Sequence, residues 1–476
     1  MAHILIDLRW MIPGYTGGAE ILARQLVNTL TRLETRHDYS LLLPLVTRYD
    51  FDPRSNFRLQ ICDGPGSYVD KLIWRAKKQR AQREGEALKG VWVNGRQVEC
   101  DAAISPSGLI HPDLHPLKNL LIVHDLQHEF LPQLFSEQEF QNRQRDFDAS
   151  IGQAGQIVTV SQFSRQTFID HYRLAPEMVT VAYEAAEPLF HQPVHNPEAT
   201  WDKYGLSKGG YLFYPANTWP HKNHVLALAA IKILGERYQR TVPLVCTGAP
   251  KEAHAEVLAE VEALGLQDQF RFLGYCPRRE LPALYHGAAA LVFPSLYEGF
   301  GLPILEAMWC DCPVICSNVT SLPEVAGPAA LYFDPQDSSG LAEAVQQVLE
   351  DPALQSGLIE RGRQQASQFS WEQFAGVILG RLDVLLGETG TERWDRREDL
   401  MAPAIQNSSP TQNSRITRSR DLLLQAAEYR RLGRHWGALG RLIPGMLLGP
   451  DVAFNLLWFP WLRDRVLRKL LAKLKV

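Results

Sequence analysis

Apolar runs of four to seven residues alternate with amphipathic helical stretches along most of the chain, in two successive series. In the first, 3–8, 39–45, 102–105, 120–123 and 156–160 read as strands, with helices over 19–33 and from Ser161 onward. In the second, strands are expected at 210–214, 243–247, 270–273, 289–293, 313–317 and 330–333, and helices at 224–237 and 252–264. Such alternation implies a parallel sheet covered by helices on both faces, because a parallel connection must cross over the sheet. A length of 476 residues suits two or three domains. Residues 187–206, with three prolines, read as the linker between the series. The expected architecture is therefore α/β, with Rossmann-like parallel-sheet domains over 1–190 and 205–370 that face each other across a cleft. Ligands of such sheets sit at the C-terminal ends of the strands.

Composition excludes several classes. A formal net charge of -4 argues against nucleic acid as the main partner. The cysteines are odd in number, seven, without a disulfide framework, which suits a reducing compartment. Cys310, Cys312 and Cys316 lie close in sequence, but Cys316 ends an apolar run and core packing explains them better than zinc. Two D-x-D runs, Asp50 to Asp52 and Asp146 to Asp148, follow no central strand, so no metal site is expected. The first residues enter an apolar run with no charged leader and long apolar core, which reads as no signal peptide. No apolar run approaches the ~18 residues of a membrane-spanning helix. A cytoplasmic protein is expected.

Three further segments stand apart. Residues 68–89 form a basic helical stretch, read either as a solvated face or as an element facing acceptor or membrane. Residues 387–414 are polar and rich in Thr, Asn and Ser, and read as a linker. Residues 415–476 carry thirteen Lys and Arg against four Asp and Glu, interleaved with Trp436, Phe454, Trp458, Phe459 and Trp461. This basic helical tail fits docking on protein, or peripheral contact with anionic lipid at the inner face of the membrane. Pro444, Pro450 and Pro460 interrupt any long helix there.

The stretch ALVFPSLYEGFGLPILEAM, residues 290–308, concentrates the chemistry. A buried strand runs into Gly299 and Gly301, and Pro303 suits the first position of a helix reaching about Cys310. Glycines allow a tight turn and close approach of backbone to ligand. The free amides of Gly299, Phe300, Gly301 and Leu302 then lie at the positive end of the helix dipole, an anion site suited to phosphate. A carboxylate beside phosphate is electrostatically wrong unless it binds another part of the same ligand. Sugar hydroxyls are suited to it, since a carboxylate accepts from two or more donors. A nucleotide sugar satisfies all three demands: Glu298 for the transferred sugar, the amides for the diphosphate, Glu306 for the ribose. Taken alone, Glu306 reads as a first-turn acid favouring the helix dipole, and Glu298 as a turn residue.

The same stretch resembles the E-x7-E signature of retaining glycosyltransferases of the GT-B fold, family GT4. SNVTSLPEVAGPAALYFDPQD, at 317–337, continues the resemblance, which covers most of residues 1–385. In that family the first glutamate contacts the donor sugar and the second the ribose. The resemblance also implies that a helix opening at Phe369, Ser370 and Trp371 and running over 371–386 crosses back to the first domain. In YLFYPANTWPHKN, at 211–223, Lys222 stands where the family places a diphosphate-binding lysine. The family's Gly-Arg pair, however, is Ala216 and Asn217 here. Lys222 can stabilise the leaving diphosphate, whereas Asn217 can only donate a neutral hydrogen bond. On its own Lys222 is also explained as a solvated loop cation.

In the first domain, Gly17 and Gly18 follow the first strand without forming a G-x-G-x-x-G fingerprint. The resemblance implies a loop facing donor phosphate and acceptor. His124 and Asp125 leave a strand at its C-terminal end, and the resemblance places His124 beside the reacting sugar; a lone histidine there is otherwise structural. His128 and Glu129 are secondary candidates, and Tyr275 a candidate for the base. The implied reaction is a metal-independent hexosyl transfer with retention, giving an α-linkage. Its donor is a nucleotide-diphosphate sugar, GDP-mannose favoured over UDP-sugars, acting as co-substrate with no cofactor. The implied acceptor is a glycan or lipid-linked glycan of cell-surface polysaccharide synthesis. A nucleotide-sugar epimerase or hydrolase of the same fold, and a non-catalytic scaffold acting through the basic tail, are the alternatives.

Overall fold

The computed structural model describes residues 1–11, 17–33, 36–44, 51, 56–62, 91–93 and 96–387. The basic stretch at 68–89, both aspartates of the run Asp50 to Asp52, and residues 388–476, with most of the expected linker and the whole basic tail, lie outside them.

The chain builds two parallel sheets. The first contains β1 (His3–Asp7), β2 (Asp38–Pro44), β3 (Phe57–Cys62), β4 (Ala102–Ser105), β5 (Lys118–Val123), β6 (Gln156–Thr159) and β7 (Val179–Val181), in the order β3-β2-β1-β4-β5-β6-β7. The second contains β8 (Leu212–Pro215), β9 (Leu244–Thr247), β10 (Phe270–Phe272), β11 (Ala290–Phe293), β12 (Val314–Ser317) and β13 (Ala330–Phe333), in the order β10-β9-β8-β11-β12-β13. Strand order reverses beside β1 in the first sheet and beside β8 in the second, and such switch points open a crevice beyond the strand ends. β3 and β7 were not expected from the sequence. A short antiparallel hairpin, Val91–Val93 with Arg96–Val98, is also additional.

Burial explains the strand composition. β11 lies between β8 and β12, with helices over both faces, and all four of its residues are buried. A continuous apolar run is what that position requires. Helix α1 (Gly18–Arg32) buries Leu22, Ala23, Leu26, Val27 and Leu30 along one stripe. Helix α2 (Glu137–Ile151) contains Asp146 and Asp148 and opens with a capping box between Ser136 and Glu139. Cys310, Cys312 and Cys316 are buried free thiols of the second core, and burial pushes all three pKa values up.

Residues 187–206 are more structured than a linker. They hold a 3-10 turn, Pro188–His191, and helix α4 (Pro197–Tyr204). Trp201 of α4 is buried on the second domain and its Nε1 donates to Ala283 O at 2.8 Å. At the other end, helix α5 (Trp371–Leu386) lies on the first domain, against α1, β5 and β6. Arg36 Nη2 meets Asp383 there at 2.6 Å, and Trp371 Nε1 donates to Ala186 O at 3.1 Å.

The domains touch beside the cleft. Glu324, from the second, accepts from the amides of Gln162 and Phe163 at 2.7 and 3.1 Å and from Tyr183 Oη at 2.7 Å. Those amides open helix α3 (Gln162–Tyr172), so the carboxylate meets a positive helix end across the interface.

Candidate active site

β11 is followed by a loop ending in the helix Leu302–Trp309, with Gly301 as N-cap at φ 117°. Leu302 is the first helical residue and Pro303 the second, one position later than a first-position proline. The two glycines serve different needs. A Cβ on Gly301 would stand 2.9 Å from Leu322 Cδ2, in a backbone conformation that side chains rarely adopt. A Cβ on Gly299 would stand 2.5 Å from His124 O, so this glycine admits the first domain's backbone. Among the described residues, the amides of Gly299 to Leu302 have no protein acceptor. The Phe300 ring is buried between Tyr183 and Phe369, which leaves its amide as the group available to a ligand.

Gly18 lies opposite this loop, where an added Cβ would meet Leu302 Cδ1 at 3.9 Å. Gly17, at φ 63°, caps α1. Two helix N-termini, one from each domain, therefore meet across the cleft. Both ends are positive, and an anion between them relieves their mutual repulsion.

Lys222 Nζ lies 2.6 Å from Glu298 Oε1, and both side chains are largely buried. The lysine is aimed by a short turn, Pro220–Lys222, whose carbonyl at Lys222 accepts from Tyr214 Oη at 2.6 Å. Asn223 follows in the left-handed region and its Nδ2 donates to Pro294 O and Pro335 O. Asparagine tolerates that conformation and also ties the turn to the Glu298 loop. Asn217 Oδ1 accepts from Ala249 N at 2.6 Å, so the side chain presents only its NH2 outward.

His124 stands between two acceptors. Nδ1 is 3.6 Å from Glu184 Oε1, and Nε2 is 3.3 Å from Pro106 O. A ring facing an acceptor on each side is best satisfied as the doubly protonated imidazolium. Burial opposes that charge, but Glu184, Asp125 and Pro106 O outweigh it and raise the pKa above the ordinary 6.5. Asp125 is half-buried, accepts from Gln127 N at 2.9 Å, and has a raised pKa, first from desolvation and further from the nearby Glu298 charge. His124 is therefore near Asp125, and Asp125 near Glu298, across the interface. His128 instead lies in an aromatic nest with Phe135, Phe140 and Phe147, where burial lowers its pKa to about 4. Glu129 lies beside it, 3.5 Å from Nε2.

Glu306 is in the second turn of its helix, not the first, so the dipole does not account for it. It is buried, with Oε2 accepting from Tyr285 Oη at 2.7 Å and Oε1 from Arg278 Nη2 at 3.0 Å. Tyr275, in the loop after β10, is 68% exposed and is free to lie against a ligand ring. Sequence reasoning passed over Glu184, Arg278 and Glu324. Glu184 sits in an irregular segment, Ala-Tyr-Glu-Ala-Ala, and Arg278 in a charged Arg-Arg-Glu run, and neither carries a periodic signal. Among the described residues no group of three or more His, Cys, Asp and Glu side chains could hold a metal ion.

Residues 201–365 match the family model of glycosyl transferases group 1. The O-antigen chain mannosyltransferase B of Escherichia coli is 36% identical over 251 residues, 52% of this chain and 66% of that protein. Residues 201–365 are thus similar to the glycosyl transferases group 1. The serotype-specific mannosyltransferase WbdA of E. coli is 29% identical over 307 residues, 62% of this chain and 37% of that protein. The alignments thus span less than two thirds of the length of these relatives. Among solved structures, sucrose-phosphate synthase from Thermosynechococcus elongatus aligns with a TM-score of 0.61 at 20% identity, over 82% of this chain and 100% of that one. WaaG, a glycosyltransferase involved in lipopolysaccharide biosynthesis, aligns with a TM-score of 0.59 at 17% identity, over 82% and 100%. These neighbours establish the GT-B fold of this chain.

The His124 environment makes one prediction. Glu184→Gln removes the carboxylate and leaves the burial, so the His124 pKa should fall. Because the native pKa is raised, its contribution to stability is fully present below pH ~6.5 and is lost as pH rises through the native value. Melting curves of wild type and Glu184→Gln should therefore lie furthest apart below pH ~6.5 and converge on the alkaline side. A gap that is constant across pH rejects the imidazolium.

Proposed function

We propose that this chain transfers a hexose, mannose favoured, from a nucleoside-diphosphate sugar to a glycan or lipid-linked acceptor, with retention and without a metal. The observation that carries this reading is the meeting of two positive helix ends across the cleft, at Gly18 and Leu302, beside the Lys222–Glu298 pair. In this reading the amides of Gly299 to Leu302 and Lys222 hold the diphosphate. Glu298 holds the sugar and Glu306 the ribose. Tyr275 lies by the base, and Gly17 and Gly18 face the phosphate from the other side. The likeness to O-antigen mannosyltransferases supports mannose, and GDP as its usual carrier, together with a role in cell-surface polysaccharide synthesis.

Retention needs a nucleophile or a front-face route. A double displacement would place a carboxylate against the far face of the sugar. The carboxylates here are instead engaged: Glu298 by Lys222, Glu184 by His124, and Asp125 by the Gln127 amide. A front-face route uses what is present. The glycosidic bond to the diphosphate breaks while the acceptor oxygen attacks from the same side. The acceptor proton passes to the departing phosphate oxygen. Lys222 and the helix amides stabilise the charge that develops there, and the His124 imidazolium adds positive charge near the sugar.

The test is direct. The full chain, given GDP-mannose and a mannosyl acceptor, should form an α-linked product, and excess EDTA should not reduce the rate. A β-linked product, or donor hydrolysis without transfer, refutes the reading. No helix among the described residues is long and apolar enough to cross a membrane. Residues 415–476 are proposed to bring the enzyme to anionic lipid at the inner face of the membrane. Sedimentation with phosphatidylglycerol vesicles should fall to background in a chain ending at Leu386, and unchanged sedimentation removes the idea.

A further inference from the structure

Glu306 is held by groups that reach beyond its own loop. The Arg278 Nη2 that donates to Glu306 Oε1 at 3.0 Å also meets Glu187 Oε1. Glu187 Oε2 accepts in turn from Gln25 Nε2 at 3.3 Å. Gln25 belongs to α1, the helix whose N-terminus faces Leu302. Glu187 opens the segment between the domains, and that segment docks on the second domain. The Phe190 ring lies 5.9 Å from Tyr285 and 5.6 Å from the Arg278 guanidinium, and the His191 ring lies 4.2 Å from Trp309. A continuous polar path therefore runs from the first domain, through the interdomain segment, to the second glutamate of the signature.

The chemistry of the path is uneven. Two largely buried carboxylates share one guanidinium through a single Nη2, which donates a hydrogen bond to Glu306 and forms an ion pair with Glu187. Arg278 Nε is buried with no acceptor among the described residues. The arginine is thus fixed by the two carboxylates and the Phe190 face. An ionised carboxylate offers about four lone-pair positions. Tyr285 and Arg278 occupy two of those on Glu306, and the remaining pair suits two vicinal hydroxyls. If the domains part and Glu187 withdraws, Arg278 loses one of its two anchors and Glu306 loses its fixed orientation.

We propose that Arg278 is a positioning residue of the donor site. It sets the Glu306 carboxylate for the ribose and, through Glu187 and Gln25, couples the grip on the nucleotide to closure of the two domains. The proposal rests on the reading of Glu306 as the ribose-binding acid.

The full chain and three variants test it. For Arg278→Ala the Kd for GDP and the KM for GDP-mannose should each rise at least tenfold. Arg278→Lys, which keeps the charge but not the fork, should recover less than half of that loss on a logarithmic scale. Glu187→Gln removes one of the two anchors of Arg278, so the Kd for GDP should rise, but by less than in Arg278→Ala. Small-angle scattering should then show compaction on GDP addition in the wild type and none in Glu187→Gln. A merely structural role would lower melting temperatures and leave the compaction intact. Equal scattering behaviour in wild type and Glu187→Gln, or GDP binding by Arg278→Ala within twofold of wild type, overturns the coupling. A wild type that binds neither GDP-mannose nor UDP-glucose in calorimetry overturns the functional reading itself, and the coupling with it.

Discussion

Replacing Lys222 with alanine should lower kcat by roughly 10²–10³, about 3–4 kcal/mol of lost transition-state stabilisation, the range seen when one preorganised donor to a developing oxyanion is removed. Position 217 explains why the loss should be large. Its asparagine brings no charge, and its carbonyl is already committed to Ala249 N. In the proposed reading Lys222 and the helix amides therefore carry the leaving diphosphate. The substitution has a second consequence. Glu298 would lose its partner at 2.6 Å while remaining largely buried, so stability should fall as well. The Lys222→Ala, Glu298→Gln double variant separates the effects. Removing both charges should restore melting temperature toward wild type and leave kcat no better than the worse single variant. Steady-state kinetics and thermal melts on the four proteins check this. A Lys222→Ala enzyme within tenfold of wild type would show that the lysine is a bystander.

Gly299→Ala should be nearly as damaging for a different reason. The added Cβ would stand 2.5 Å from His124 O and 3.1 Å from Asp125 Cβ. The first obstacle is backbone from the opposite domain, and no rotamer change relieves it. The domains must separate, which also strains the Ser161 Oγ donation to Gly299 O at 2.7 Å. Misplacement of reacting groups by ~1 Å costs on the order of 10²-fold in rate. The variant should keep each domain folded and lose turnover. Gly301→Ala is the informative comparison. There the strain lies within one domain, from a φ of 117° and from Leu322 at 2.9 Å. That strain, of order 1–3 kcal/mol, should appear first as a lower melting temperature. If Gly299→Ala turns over at the wild-type rate, the observed contact between the domains is not the one used in catalysis.

Much of the fold can be read from the sequence because parallel strands buried on both faces leave unbroken apolar runs, as at β11 and β12. The reading fails where burial is one-sided or brief. β3, Phe-Arg-Leu-Gln-Ile-Cys, is an edge strand that alternates polar and apolar residues. β7 is three residues long at the opposite edge. Helix α4 was hidden by the prolines around it, one of which is its own first residue. The site divides similarly. Glu298 and Glu306 are visible because their spacing and the glycines between them constrain one another. Glu184 and Arg278 act through partners distant in sequence, on His124 and Glu306, and nothing local marks them.

The central claim is that the amides opening the helix Leu302–Trp309 hold the diphosphate of an activated sugar. A crystal structure of the full chain with an unreactive GDP-mannose analogue tests it most directly. Diphosphate oxygens within about 3 Å of the amide nitrogens of Gly299 to Leu302, with Lys222 beside them and the ribose on Glu306, are the expected result. An analogue bound elsewhere, with those four amides facing only protein or solvent, would contradict the account.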